Sequence, residues 1–262
     1  CQMKILIFET AEMAAARAAQ QIVERVRTQP KSVLGFATGG TMPPVYRHLV
    51  KAYAQGHVSF ASAVTFNLDE YVGLSPDHAC SYHHFMAQEL FDLTNFAPDH
   101  TNLPHGDAPD LAAEAARYEA LIKANGPIDL QLLGIGGNGH IGFNEPTSSI
   151  GSRTRIKTLT KATRDANQKY FGDGGDPPQY AITVGIQTIL ESREVVLLAT
   201  GATKATAVAE MVEGAISASC PATAFQLHPK VTIILDQAAA ENLKLREYYF
   251  QVHPNGQEIP VV

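Results

Sequence analysis

Apolar runs rich in β-branched residues alternate along this chain with stretches of helical spacing. Lys4–Phe8 reads as a strand, and the alanine-rich Ala11–Arg27 follows it with apolar positions three and four apart. Ser32–Phe36 is a second strand and Met42–Gln55 a helix. Val64–Leu68 is a strand, followed by helices at Ser81–Leu90 and Ala112–Ala124. Leu130–Gly134, Tyr180–Val184, Val195–Ala199 and Val231–Leu235 complete the strands, with helices at Lys204–Met211 and Ala238–Tyr249. The strands are continuously apolar rather than alternating, so both their faces are expected to be covered. That predicts an α/β fold with a mostly parallel sheet and helices on both sides.

With 262 residues the chain can bury a large core and needs no disulfide or metal to fold. The pattern reads as one domain over 1–262. The run Gly172–Pro178 is the one shift in composition, since its glycines and prolines break helix and strand alike. Residues 151–178 are therefore a candidate lid, although a plain surface loop has the same composition. A formal net charge of -6, with no block of Lys or Arg, argues against nucleic acid as partner. It leaves an anionic small substrate open, because a pocket can differ in sign from the whole. Three cysteines without CxxC spacing fit a reducing, cytoplasmic setting. The apolar runs at 33–36 and 233–235 are too short to span a bilayer, and no signal peptide is evident. Cys1-Gln2 reads as an expression or processing remnant before Met3; a lipid-anchored Cys1 is the remote alternative.

Three loops follow predicted strands, where ligands bind in open α/β sheets. Thr38-Gly39-Gly40-Thr41 offers close backbone approach, hydroxyl donors and the N-terminus of the next helix, the makings of a phosphate cradle. It is neither a Walker loop nor GxGxxG, so no nucleotide is implied. In Asn67–Leu74, the neighbouring carboxylates of Asp69 and Glu70 leave opposite sides of the chain. One can enter a pocket as a general base while the other serves the loop; a surface turn is the plain alternative. Gly134–Pro146 packs five glycines into nine residues, a composition hostile to regular structure unless a ligand comes close. Within it His140 suits proton transfer near neutral pH, with Glu145 placed to orient it. A metal site is disfavoured: His78, His83, His84 and His100 are scattered, and no HExxH or Cys/His spacing occurs. No GxSxG elbow points to a serine nucleophile.

Phe66–Leu74 and Gly136–Pro146 resemble the two signatures of the glucosamine-6-phosphate deaminases, and Ser152–Thr160 and Gln226–Lys230 resemble further parts of that family. The likeness runs from about Met3 to about Phe250. It implies a single Rossmann-like domain with a small lid. It also implies conversion of glucosamine 6-phosphate and water to fructose 6-phosphate and ammonia, with no metal and no nucleotide cofactor. On that resemblance Asp69 takes the place of the base acting at sugar C2. His140 takes that of the ring-opening catalyst, with Asn138 and Glu145 beside it. Thr38, Gly39, Gly40, Thr41, Lys204 and Lys169 fall where the family holds phosphate. Position 138 is Asn where some members carry Asp, which leaves charge stabilisation to Glu145. Position 169 is Lys where many carry Arg, which keeps the charge but loses the bidentate fork. Ser148, Arg155 and Lys157 match positions that bind an activator, N-acetylglucosamine 6-phosphate, in hexameric allosteric members. Other members are not allosteric, and pairing of these cations with surface carboxylates is the plain alternative. Galactosamine 6-phosphate as substrate, a 6-phosphogluconolactonase, and a sugar-phosphate sensor domain remain as other readings. The last lacks the helix-turn-helix it would need.

Overall fold

The computed structural model describes residues 3–172 and 175–258. Cys1-Gln2 and the middle of the Gly/Pro run, Asp173-Gly174, lie outside the described residues. Seven parallel strands form the main sheet: β1 (Lys4–Phe8), β2 (Val33–Phe36), β3 (Val64–Asn67), β5 (Thr101–Asn102), β6 (Leu130–Leu133), β9 (Val195–Ala199) and β10 (Val231–Asp236). Their spatial order is β1-β10-β9-β6-β2-β3-β5. From β2 the chain runs outward through β3 to β5, and the later strands β6, β9 and β10 run outward on the other side. The order therefore reverses between β2 and β6, and a crevice opens there at the carboxyl edge.

Strands β2, β6, β9 and β10 are buried along their whole length, as their predominantly apolar runs favour, with Gln131, Thr232 and Asp236 the buried polar exceptions in β6 and β10. The helix α1 (Ala11–Thr28) shows how the covering layer is built. Ala14, Ala15, Ala18, Ala19, Ile22 and Val26 make one buried stripe, and Thr10 accepts the N–H of Met13 at 3.2 Å as its cap. Among the described residues no helix is long and apolar enough to cross a membrane.

Two expectations are corrected. Tyr180–Thr183 is strand β8 of a separate three-stranded antiparallel sheet, in the order β4 (Asp69–Tyr71), β8, β7 (Arg155–Thr158). A four-residue apolar run carries no information about its partner or direction, so it read like the parallel strands. Nor is Ala238–Tyr249 one helix. The carboxylate of Glu213 accepts the N–H groups of Lys244 and Leu245 at 2.8 and 2.9 Å. Those donors are thereby taken from any helical ladder, and a short helix, α8, covers Arg246–Val252 instead. The small sheet has its own apolar cluster of Tyr71, Phe143, Leu159 and Ala181, with Phe171 packed on it.

Candidate functional site

A cavity of about 210 Å³ occupies the crevice. Four loops reach it, each from the carboxyl end of a strand: Thr38–Thr41 after β2, Leu68-Asp69 after β3, Gly134–His140 after β6, and Lys204 after β9. The fifth wall is the helix α5 (Lys161–Asn167) and the turn after it, through Thr163, Asn167, Lys169 and Tyr170. Parallel strands end on one edge, so side chains as far apart in the chain as Ala37 and Lys204 line one space.

Asp69 opens β4, where it is paired with Thr183 across the small sheet. It is 5% exposed. Burial pushes its carboxyl from 3.8 up to about 8, and the neighbouring negative Glu70 adds to the rise. Glu70 faces the other way and is fully buried. It accepts the N–H groups of Tyr71 (2.8 Å), Tyr82 (2.9 Å) and His83 (3.1 Å), and its Oε2 lies 2.8 Å from His83 Nδ1. It thereby ties the Asp69 strand to the start of the helix α3 (Tyr82–Glu89). The opposite facing of the two acids follows the strand pleat that the sequence predicts.

His140 has its Nδ1 2.7 Å from Asn138 Oδ1, while Asn138 Nδ2 donates to Glu145 Oε2 at 2.9 Å. A carboxylate can only accept, so it turns the Asn138 amide nitrogen toward itself and the carbonyl toward His140. Nδ1 must then carry the imidazole proton, which leaves Nε2 as the basic nitrogen. Glu145, 1% exposed, sits 3.7 Å from Nδ1 and is itself held by the N–H of Thr160 at 3.1 Å. Burial lowers the pKa of His140; Glu145 opposes that, and the positive Lys204 adds to the lowering. The ring lies flat against Gly136, where any Cβ would overlap it. Two residues beyond His140 the chain passes the base: a Cβ on Gly142 would stand 3.3 Å from Asp69 Oδ2.

At the Thr38–Thr41 turn the N–H groups of Gly39, Gly40 and Thr41 have no acceptor among the described residues. The next helix, α2 (Pro43–Ala54), starts with Pro43-Pro44. Its first turn is therefore poor in the free donors expected of it, and the turn itself supplies them. Lys204 stands in the short 3₁₀ turn Ala202–Lys204 rather than in the following helix, α7 (Ala205–Glu213). Burial lowers its pKa, and the charge of Lys169 lowers it further. The structure thus brings Thr38, Gly39, Gly40, Thr41, Asp69, His140, Lys169 and Lys204 to one cavity, with Asn138 and Glu145 behind His140.

Ser148, Arg155 and Lys157 are not in that cavity. Arg155 donates to Asn144 Oδ1 at 2.8 Å and to Ser148 Oγ at 3.1 Å, and neither cation has a carboxylate partner among the described residues. Arg155 and Lys157 share one face of β7 by the two-residue period.

Sequence reasoning missed Tyr82, Thr163, Asn167 and Tyr170. Tyr82 donates to the Tyr71 hydroxyl at 3.3 Å, and Asn167 Nδ2 donates to the same oxygen at 3.0 Å, which fastens α5 over the cavity. No local pattern marks these residues; they lie in a short helix and a capped helix start whose place over the crevice is a tertiary matter.

Residues 8–234 match the model of the family described as glucosamine-6-phosphate isomerases/6-phosphogluconolactonase. The chain is 48% identical over 257 residues to a glucosamine-6-phosphate deaminase of Cellvibrio japonicus (strain Ueda107), covering 98% of each. It is 52% identical over 244 residues to a protein of the same name from Rhodopirellula baltica (strain DSM 10527 / NCIMB 13988 / SH1), covering 93% of this chain and 97% of that one. The solved structure of a monomeric glucosamine-6-phosphate deaminase matches with a TM-score of 0.89 at 45% identity, over 92% of this chain and 100% of that one. A 6-phosphogluconolactonase from Trypanosoma brucei shares the fold at 19% identity, with a TM-score of 0.74 over 92% of this chain and 99% of its own.

Proposed function

The chain belongs to the glucosamine-6-phosphate isomerases/6-phosphogluconolactonase family, and from that premise we propose that it converts glucosamine 6-phosphate and water to fructose 6-phosphate and ammonia. The observation that carries this reading is that Asp69 and His140 line one cavity together with the open N–H groups of the Thr38–Thr41 turn. Deaminases at 48% and 52% identity favour it over the lactonase reaction that the family's description also covers, since the Trypanosoma brucei lactonase is 19% identical.

In this reading the phosphate sits on Gly39, Gly40 and Thr41, with the hydroxyls of Thr38 and Thr41 and the ammonium groups of Lys204 and Lys169 around it. Neutral His140 takes the proton of the anomeric hydroxyl on Nε2 and returns it to the ring oxygen, which opens the pyranose. Asn138 and Glu145 support the positive charge that passes through the ring. Asp69 then takes the proton from C2 while O1 gains one from the C2 ammonium, which gives the enolamine, and Asp69 returns its proton to C1. The product is the imine of the 2-ketose; water adds at C2, and the C2–N bond breaks to release ammonia. The substrate's ammonium beside Asp69 favours the ionised carboxylate against the burial that opposes it. Each positioned acid or base contributes roughly 10²–10⁴-fold. Residues 151–178 act as the lid, and the reaction is a hydrolysis that needs no metal.

Ser148, Arg155 and Lys157 form a second anion site for N-acetylglucosamine 6-phosphate, and a hexamer is expected if that compound activates. One assay tests the whole reading. Purified protein is given glucosamine 6-phosphate or galactosamine 6-phosphate, with and without N-acetylglucosamine 6-phosphate or EDTA, and ammonia is followed. No ammonia from glucosamine 6-phosphate overturns the reading. Release from the galacto epimer alone reassigns the substrate, loss of activity in EDTA removes metal independence, and indifference to the acetylated sugar removes the second site.

A further inference from the structure

We propose that the hydroxyl of Tyr170 is a ligand of the substrate's phosphate, delivered from the lid onto the Thr38–Thr41 turn. The proposal rests on the functional reading above and adds a residue to its binding site. Tyr170 follows α5 and lies next to Lys169, and both line the cavity. Its hydroxyl oxygen rests on Gly40, 2.5 Å from where a Cβ would stand. The absence of a side chain at Gly40 lets it come this close, and the contact puts Oη against the turn whose N–H groups have no acceptor among the described residues. Oη itself has no hydrogen-bond partner among the described residues, and Tyr170 as a whole is 47% exposed. The backbone is held where the side chain needs it: the Tyr170 carbonyl meets the Cys80 thiol at 3.5 Å, and Asn167 is tied to Tyr71.

The charges around it suit an anion such as a phosphate. Lys169 Nζ lies 5.0 Å from the Tyr170 ring centroid, and Lys169 is close enough to Lys204 for the two ammonium groups to repel. Among the described residues Asp69 is the one acid lining this cavity. An ammonium holds an oxyanion as a point charge without fixing its orientation. A phenol hydroxyl brought to the turn by the segment after α5 supplies a directional donor at the turn. The bound phosphate is then held by the turn, the two ammonium groups and this hydroxyl, and the segment after α5 is linked to the turn through it.

Tyr170→Phe removes the donor and keeps the ring, so it separates the hydrogen bond from packing. Hydrogen bonds to charged groups are the stronger class, and the loss should weaken binding about tenfold. In the Tyr170→Phe protein, KM for glucosamine 6-phosphate and the inhibition constant of inorganic phosphate should both rise by that factor, with kcat little changed. Calorimetric titration with inorganic phosphate should show the same loss. Phosphate and substrate binding equal to wild type in Tyr170→Phe overturns the proposal. So does a loss seen only in Tyr170→Ala, which would assign the residue to packing. If wild-type protein releases no ammonia, the functional reading fails, and the phosphate titration still judges Tyr170 by itself.

Discussion

Replacing Glu70 with Gln should move the acid limb of the kcat profile to lower pH while leaving the cavity in place. Glu70 never enters the cavity, yet its charge helps hold the Asp69 carboxyl up at about 8. Neighbouring strand residues leave on opposite faces, which separates the two carboxylates by roughly 8 Å. Two unit charges at that distance repel by about 2 kcal/mol at an effective dielectric near 20. The N–H donors gathered on Glu70 offset part of its charge. What remains is on the order of 1.4 kcal/mol, or one pH unit. The ranking agrees, since burial is the larger cause and neither the glutamine nor its neighbours change it. The sign is fixed: the base works ionised, a like charge disfavours ionisation, and removing that charge extends activity toward acid. Initial rates of ammonia release at saturating substrate, from about pH 5.5 to 9, measure it. The substrate's phosphate, with its second ionisation near pH 6, is common to both proteins and cancels in the comparison. Glutamine also turns an amide toward backbone donors, which should cost about 1–3 kcal/mol of stability, so a melting curve accompanies the profile. A folded Glu70→Gln enzyme whose acid limb stays put, or moves to higher pH, refutes the argument.

Asp69→Asn should abolish turnover, with phosphate binding by calorimetry retained; full activity removes Asp69 from its role. The same variant should change the pH dependence of stability. An acid raised in the folded state binds more protons there, so its stabilisation is present below about pH 4 and is lost as pH rises to about 8. The wild-type melting temperature relative to Asp69→Asn should fall across that window, and parallel curves would contradict the raised pKa. His140→Gln should slow closed-ring substrate at least ~10²-fold and an open-chain analogue far less; equal losses would end the ring-opening assignment. Gly136→Ala drives a methyl into the His140 ring. It should cost about 1–3 kcal/mol of stability and most of the activity, and an unimpaired variant would mean that the ring is not held where its partners place it.

Local pattern was enough for the layered α/β architecture, because strands buried on both faces are predominantly apolar and the helices between them striped. It was enough for the three strand-end loops, since glycine-dense segments such as Gly134–Gly142 make sense where a backbone must come close to something. The strand pleat also foretold that Asp69 and Glu70 would part company. The direction and sheet of Tyr180–Thr183, the break before Arg246 and the arrival of α5 over the crevice were decided by contacts between distant segments. Four residues of strand look alike in either sheet, and the carboxylate of Glu213 that interrupts the last helix stands some thirty residues away. The chemistry of the site belongs to the same level. Whether Asp69 is an ordinary acid or one raised to about 8, and which nitrogen of His140 is basic, depend on burial and on partners brought in by other loops. A sequence names the groups that can carry charge; desolvation and neighbouring charges, which only the packed chain supplies, set how tightly each holds its proton.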